Sequence, residues 1–335
     1  MRGDESGSLR WGLVGTGDIA EKRVAPALRD VPRSSLVAVA RRKAELAESF
    51  ARRFGAGRWF SDWRDLVRDP EVDAVYVATP VDLHADITIA AAEAGKHVLC
   101  EKPMALTVAD CDRMIAAAEA AGVMLGVAYY RHLYPVVLRV KELVDQGAIG
   151  RPVVAQINAF ERFDPPADHP RAWMLDPRFS GGGPMFDFGC HRLEILLHLL
   201  GAPVSAVGMT SRAVFDRPVE DTAAAVVKFS DGALGTVTVT HGSGEPEDTL
   251  AVYGEKGSIH VPVLNAGSLT VVRDGQRSIE RHDPPANLHQ PLVEQFVNAT
   301  FAGGQPIVDG AVGREVNRLL EAAYTTFDGL PRTTG

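Results

Sequence analysis

Gly15-Thr16-Gly17-Asp18-Ile19-Ala20 follows the apolar run Trp11–Val14 and opens a helix-like stretch. These residue types suit one chemistry, the binding of a pyrophosphate. Gly15 permits a tight turn, Gly17 lets backbone approach the phosphates, and Ala20 lets the helix pack close to the strand. The N–H groups around Thr16, Asp18 and Ile19 lie where a helix N-terminus favours anions. A strand before, a helix after and a βαβ unit around the turn make this a dinucleotide site. About 20 residues further on, a carboxylate commonly binds the ribose 2′-OH of NAD. Here Arg41-Arg42-Lys43 stands in its place. A carboxylate repels a 2′-phosphate and a guanidinium holds it bidentately, so NADP is the preferred cofactor, with NAD the alternative. The bland reading of the same run is a solvated charge cluster at a helix start.

The elements that must hold this turn are legible as alternation. From Leu9 to about Val127, strand candidates (Trp11–Val14, Leu36–Ala40, Arg58–Phe60, Ala74–Ala78, Val98–Cys100, Met124–Val127) alternate with helical patterns (Ile19–Arg29, Lys43–Phe54, His84–Ala94, Val108–Ala121). Several strands are continuous Val-rich runs, as expected for parallel strands buried on both faces. The repetition predicts a Rossmann-type, doubly wound parallel sheet. After Val127 the rhythm changes. Helical patterns at Val136–Gln146 and Met185–Leu200 precede strand candidates Val204–Val214, Ala223–Phe229, Leu234–His241, Leu250–Gly254, Ser258–Val261 and Leu269–Val272. Ser230-Asp231-Gly232 and Glu255-Lys256-Gly257 are hairpin turns. Two helices, Pro291–Ala302 and Val312–Tyr324, close the chain. The expected fold is α/β: a Rossmann domain over residues 1–127, then an α+β domain over 128–335 with a large, mostly antiparallel open sheet.

Gly235-Thr-Val-Thr-Val-Thr240 alternates small polar with apolar residues, so one face of that sheet is expected to stay uncovered by helices. Such a face suits a partner subunit, hence a homodimer or homotetramer. The chain has 335 residues, 46% apolar and 23% charged, with net charge −8 and no long basic run. That is a globular composition, and it argues against nucleic acid or an anionic membrane as partner. Met1–Arg10 is polar, without the apolar stretch of a signal peptide, and no window offers the ~20 apolar residues of a membrane span. Cys100, Cys111 and Cys190 form no CxxC pair and read as reduced thiols, which places the protein in the cytoplasm.

Further motifs carry a resemblance. Ala78-Thr79-Pro80, His84, Ala94-Gly-Lys-His-Val-Leu-Cys-Glu101-Lys102-Pro103, Gly181-Gly-Gly183 and Asp187-x-Gly189-x-His191, together with the opening turn, resemble the Gfo/Idh/MocA family of NAD(P)-dependent oxidoreductases. The similarity runs from about Leu9 to Tyr324. It implies hydride exchange between NADP(H) or NAD(H) and a secondary alcohol or ketone carbon of a sugar, nucleotide sugar or cyclitol. It also implies that Lys102, Asp187 and His191 form the catalytic set, that Thr79, Pro80, His84, Glu101 and Lys102 border the cofactor, and that Tyr130 and Arg131 face substrate; His289 matches a position near the cleft.

The chemistry fits those residue types. Removing hydride from an alcohol carbon needs a base for the hydroxyl proton, and imidazole serves both directions near neutral pH. An ammonium at the end of a parallel strand stabilises developing alkoxide charge. By themselves, Glu101-Lys102-Pro103 is also an ordinary strand-end turn, and Asp187 with His191 a helical i, i+4 pair. That pair could ligate metal, but no HExxH or third clustered ligand accompanies it, so no metal is expected. His97 and His198 read as structural, and Cys190 as inert. The chain departs from the family pattern at Val81, often Asn, and at Met174, often Arg after Trp; Arg171 or Arg178 could take over the missing cofactor contact. Two rival readings remain, a glycosidase of the same fold that uses NAD transiently, and a dinucleotide-binding sensor without turnover.

Overall fold

The computed structural model describes residues 7–325, so the first six positions of the polar Met1–Arg10 stretch lie outside it. The described chain divides into two compact units: residues up to Tyr134 together with Pro284–Asn317, and Pro135–Asp283 together with the residues from Arg318 on.

The first unit is built on a six-stranded sheet, β1 (Leu9–Val14), β2 (Ser34–Ala40), β3 (Arg58–Phe60), β4 (Ala74–Val77), β5 (His97–Cys100) and β6 (Leu125–Val127), in the order β3-β2-β1-β4-β5-β6. Every pairing is parallel. The crossovers are α1 (Ala25–Asp30, entered through a π-helical turn Ala20–Val24), α2 (Ala44–Phe54), the short α3 (Trp63–Arg68), α4 (His84–Glu93) and α5 (Val108–Ala121). Central strand β4 is buried at all four residues, as a sheet covered on both faces requires. The predicted doubly wound sheet is thus present, with α3 unforeseen because six residues carry too little periodicity.

The second unit carries α6 (Pro135–Asp145), β7 (Pro152–Arg162), α7 (Pro177–Ser180), α8 (Cys190–Leu200), β8 (Pro203–Ser211), β9 (Thr222–Phe229), β10 (Leu234–Thr240), β11 (Gly242–Gly254), β12 (Gly257–Val261), β13 (Ser268–Arg273) and β14 (Gln276–Arg281). The eight strands form one sheet in the order β14-β13-β12-β11-β7-β10-β9-β8. Only the β7–β10 pairing is parallel; the others are antiparallel. Both expected hairpins form, β9–β10 around Ser230–Gly232 and β11–β12 around Glu255-Lys256. Strand β7, a central strand, was not anticipated. Its inward positions Ala155, Ile157 and Ala159 include two alanines, so its alternation is weak in hydropathy although all three are buried. Strand β11 begins at Gly242 instead of the expected Leu250, because the charged Glu247-Asp248 pairs with β7 despite its composition.

The chain ends with α9 (Gln290–Ala302) and α10 (Gly310–Tyr324). A single boundary was expected at residue 127; the first compact unit runs to Tyr134 and also takes in residues 284–317. The reason is packing. Leu292, Val293, Phe296 and Val297 of α9 belong to the core cluster of Trp11, Leu13 and Leu99, and Phe296 lies against Trp11 with ring centroids 5.3 Å apart. Burying such a ring is worth roughly 1.5–3 kcal/mol. Among the described residues no helix is long and apolar enough to cross a membrane.

Candidate active site

In the first unit the phosphate turn lies at the C-terminal end of β1. Gly15 has φ +94°, and a Cβ there would stand 2.3 Å from the Ala78 carbonyl oxygen, so only glycine fits. At Gly17 a Cβ would meet nothing within 4 Å, which leaves the open approach a pyrophosphate needs. Glu21 N–H makes its helical bond to Gly17 O, so the amides before it are the ones a helix start leaves without intrahelical partners. Asp18 is turned outward to Lys22 at 2.7 Å, and Ile19 packs against the core; any role they have toward phosphate is through backbone. Arg41 reaches back to the turn, its Nη1 donating to Thr16 O at 3.2 Å and Thr16 Oγ1 at 3.3 Å. Arg42 is exposed. These residues fit a dinucleotide.

The same edge carries the loops after β4 and β5. His84 is buried, with Nε2 3.0 Å from Thr79 O and Nδ1 3.0 Å from Pro103 O. Burial pushes its pKa down against the pull of those carbonyls. His84, expected to border the cofactor, lies between the Thr79-Pro80 loop and the Glu101–Pro103 loop, with a carbonyl oxygen near each ring nitrogen. Glu101 is buried; its carboxylate accepts from Tyr76 Oη at 2.9 Å, His289 Nε2 at 3.3 Å and the Lys102 N–H at 3.2 Å. Burial works against its charge, but His289, Lys102 and Tyr76 outweigh it and hold the carboxyl below its usual range. Glu101 therefore fixes the backbone from which half-buried Lys102 extends, and the Lys102–Pro103 peptide is cis. Tyr130 stacks on His289 with centroids 4.3 Å apart, and the Arg131 guanidinium carbon lies 5.6 Å from the centroid of the Tyr130 ring. Tyr130 and His289, near each other only in the fold, thus join the Lys102 support.

In the second unit the glycine run enters a π-helical turn, Met185–Gly189, that leads into α8. Gly183 is required by crowding, since a Cβ would lie 2.1 Å from Glu220 O. Glu220, which nothing in the sequence singled out, accepts from Gly183 N at 2.8 Å and Tyr324 Oη at 2.5 Å, anchoring the start of the turn. The turn carries Asp187, and the first turn of α8 carries His191, which is buried. Asp187 Oδ2 lies 3.6 Å from Arg171 Nη2 and 3.8 Å from His241 Nε2. His241 Nε2 is also 3.7 Å from Glu161 Oε1. Glu161 and His241 therefore gather at Asp187, two groups that the sequence does not cluster with it. Glu161 and His241 escaped notice because one sits on the unforeseen β7 and the other directly follows a Thr-rich strand. Arg178 pairs with Asp176 on the surface, so of the two arginines considered, Arg171 faces the Asp187 cluster. His97 is structural as expected, its Nδ1 accepting Met124 N–H across β5 and β6.

Residues 9–129 match the oxidoreductase family with a NAD-binding Rossmann fold, and residues 137–260 match the GFO/IDH/MocA C-terminal domain. The chain belongs to the Gfo/Idh/MocA family. It is 32% identical over 309 residues to 1,5-anhydro-D-fructose reductase of Ensifer adhaerens, covering 91% of this chain and 92% of the relative. It is 29% identical to myo-inositol 2-dehydrogenase of Thermotoga maritima, with 96% of each covered. Levoglucosan dehydrogenase, solved in complex with NADH and levoglucosan, superimposes with TM-score 0.85 at 26% identity, over 94% of this chain and 97% of that one. As a Gfo/Idh/MocA member the protein is an oxidoreductase, a dehydrogenase or reductase with a dinucleotide-binding Rossmann domain.

Proposed function

We propose that this oxidoreductase prefers NADP(H) and exchanges a hydride with a secondary alcohol or ketone carbon of a sugar, nucleotide sugar or cyclitol. The observation that carries the reaction class is Lys102 on the same sheet edge as the phosphate turn, on backbone held by the buried Glu101–Tyr76–His289 network. Bound nicotinamide supplies C4 as hydride donor or acceptor. The rest falls to the chain: the Lys102 ammonium binds the reacting oxygen and stabilises its developing charge, and His191, accompanied by Asp187, takes or returns the hydroxyl proton. Tyr130 and Arg131 line the substrate side.

NADP preference is supported by Arg41 seated on Thr16 and by the absence of a carboxylate at the end of β2. A guanidinium has five N–H donors, and the Thr16 contacts use only Nη1. Substituting Arg41 and Arg42 by alanine is expected to weaken NADP binding by about 1.5–3 kcal/mol per lost charged contact, with little change for NAD, as read by titration of protein fluorescence. Equal losses for both cofactors would sink the 2′-phosphate assignment.

The second unit is assigned to substrate binding and self-association. Val207, Val226, Thr236, Gln156, Ala251, His260, Thr270 and Ile279 lie in register across all eight strands on the face opposite the buried one. Val207, Val226 and Ile279 are 46%, 40% and 72% exposed, an apolar cost that a second copy would remove. Light scattering is expected to give two or four times the 36.0 kDa chain mass; a monomer at micromolar concentration would refute this. Three buried free cysteines accord with a reducing, cytoplasmic setting.

The deciding experiment follows the NADPH absorbance band with levoglucosan, myo-inositol, 1,5-anhydro-D-fructose and D-xylose. Turnover is expected. Cofactor binding without turnover would favour a sensor, and cleavage of a glycoside without net NADPH change would favour the glycosidase reading.

A further inference from the structure

In the second unit the run Gly181–Gly183 is closely enfolded by side chains. A Cβ on Gly181 would collide with the Phe186 ring, one on Gly182 with Tyr324 Oη and one on Gly183 with Glu220 O. Two of these neighbours come from distant elements, Glu220 from the end of the β8–β9 connection and Tyr324 from the end of α10. Each has an anchor of its own. Buried Arg217 donates to Glu220 O at 3.0 Å. The adjoining Asp221 carboxylate accepts from the N–H groups of Ala213, Val214 and Phe215 at 2.9, 2.7 and 2.8 Å, which closes the connection on itself. The last turn of α10 rests on β8, where Gly208 leaves room for the Ala323 backbone. The Tyr324 ring meets Phe186 edge-on, with centroids 5.4 Å apart.

The helix that the glycines open begins at Pro184, which offers neither an N–H nor a side-chain acceptor. The donors on either side of the proline both go to the Glu220 carboxylate. Gly183 N–H donates to Oε2 at 2.8 Å and Met185 N–H to Oε1 at 3.3 Å. Tyr324 Oη donates to the same Oε1 at 2.5 Å. A carboxylate also suits the positive end of a helix. Burial, and then the charge and hydrogen bond of Glu220, push the Tyr324 hydroxyl well above its usual range, so it remains a donor. Asp187 lies in the turn so capped and His191 in the next.

We propose that Glu220 and Tyr324 form a tertiary cap that sets where the π-helical turn begins, and that they are thereby positioning residues for Asp187 and His191. This rests on the assignment of Asp187 and His191 to the reaction. The physical reason is phase. A π-helical turn closes a wider hydrogen-bonded ring than an α-helical one, so its starting residue decides the direction in which the next side chains leave the helix. Asp187 N–H closes on Gly183 O at 3.0 Å, and Gly183 is the residue whose own N–H Glu220 holds. A shift at Gly183 therefore passes to Asp187 and, along the same helix, to His191. The crowding at all three glycines leaves the run little room for a second arrangement while Glu220 and Tyr324 are in place.

Two variants of the full-length protein test this. Tyr324→Phe keeps the ring against Phe186 and removes only the hydroxyl, and Glu220→Gln keeps the shape but turns one acceptor into a donor. Long-range proton–nitrogen correlation spectra of histidine-labelled protein, with His191 identified by its loss in His191→Asn, need no substrate. In both variants the His191 ring signals are expected to move by more than their line width, while those of His97 in the first unit stay in place. A cap that only stabilises the fold would lower the thermal midpoint and leave the folded ring as it was. His191 signals unmoved in the variants would therefore overturn the proposal, and Tyr324→Phe alone decides if Glu220→Gln does not fold. With whichever panel compound wild type oxidises fastest, kcat per folded molecule should fall by about tenfold in Tyr324→Phe and about 10²-fold in Glu220→Gln, as for a reacting group displaced by ~1 Å, with NADP affinity little changed. A wild-type kcat in Tyr324→Phe would likewise overturn it. Failure of wild type to turn over the panel would strike the hydride-transfer assignment and leave the spectra to decide the cap.

Discussion

Replacing Lys102 by alanine is expected to lower kcat by about 10²–10³-fold while dinucleotide affinity changes little. The expectation comes from the role of the ammonium. An oriented cationic donor at developing oxygen charge contributes to the transition state more than to the ground state, and removal of one such donor costs roughly 2.7–4 kcal/mol. Steady-state kinetics with the best panel compound, alongside fluorescence titration of cofactor, would measure it. The supporting network makes the prediction specific. Glu101 keeps its bonds to Tyr76 and His289 in the variant, since those involve its own carboxylate, and the phosphate turn is formed by other residues. Binding of NADP should therefore survive. A near-normal rate would take Lys102 out of the chemistry; lost cofactor binding with a normal thermal midpoint would recast it as a binding residue.

Replacing His191 by alanine is expected to reduce the oxidation rate by about 10²–10⁴-fold, the usual contribution of a positioned acid/base. It should also remove the acid limb of the pH–rate profile. The sign follows from the proton's direction. Oxidation releases a hydroxyl proton, so the imidazole must be neutral to accept it, and activity rises with pH as the ring deprotonates. Without the ring that rise disappears, leaving a slow rate that depends on pH only through other groups. Because His191 is buried, His191→Asn serves as a control for packing. If both variants keep a wild-type acid limb, the acid/base role passes elsewhere, Lys102 being the first alternative.

The family resemblance is what marks these two side chains, whereas Gly15, Gly17, Arg41 and the alternation of strands and helices around them stand out in the sequence itself. Their signals are local. A phosphate turn needs particular backbone freedom at adjacent positions, a parallel strand buried on both faces needs a continuous apolar run, and a two-residue hairpin needs turn residues between two apolar segments. Each is a property of fewer than about a dozen consecutive residues, so it can be read before the chain folds.

What tertiary structure alone decided involves partners far apart in the chain. Glu101 and His289 are 188 positions apart, and neither type at either place announces the other. The two carbonyls beside the His84 ring, Thr79 O and Pro103 O, belong to separate loops that only the fold brings together. Residues 284–317 return to the first unit because an apolar face on α9 fits the core beside Trp11, which no boundary signal records. Glu161 and His241 meet at Asp187 only because β7 pairs in parallel with β10 across a long connection. Short-range preferences are written into neighbouring residues, whereas charge pairs depend on which distant elements the sheet brings side by side. The sequence by itself determined a dinucleotide-binding half, and its resemblance to the family marked the residues proposed for the reaction. The fold determined what holds them and which distant side chains surround them.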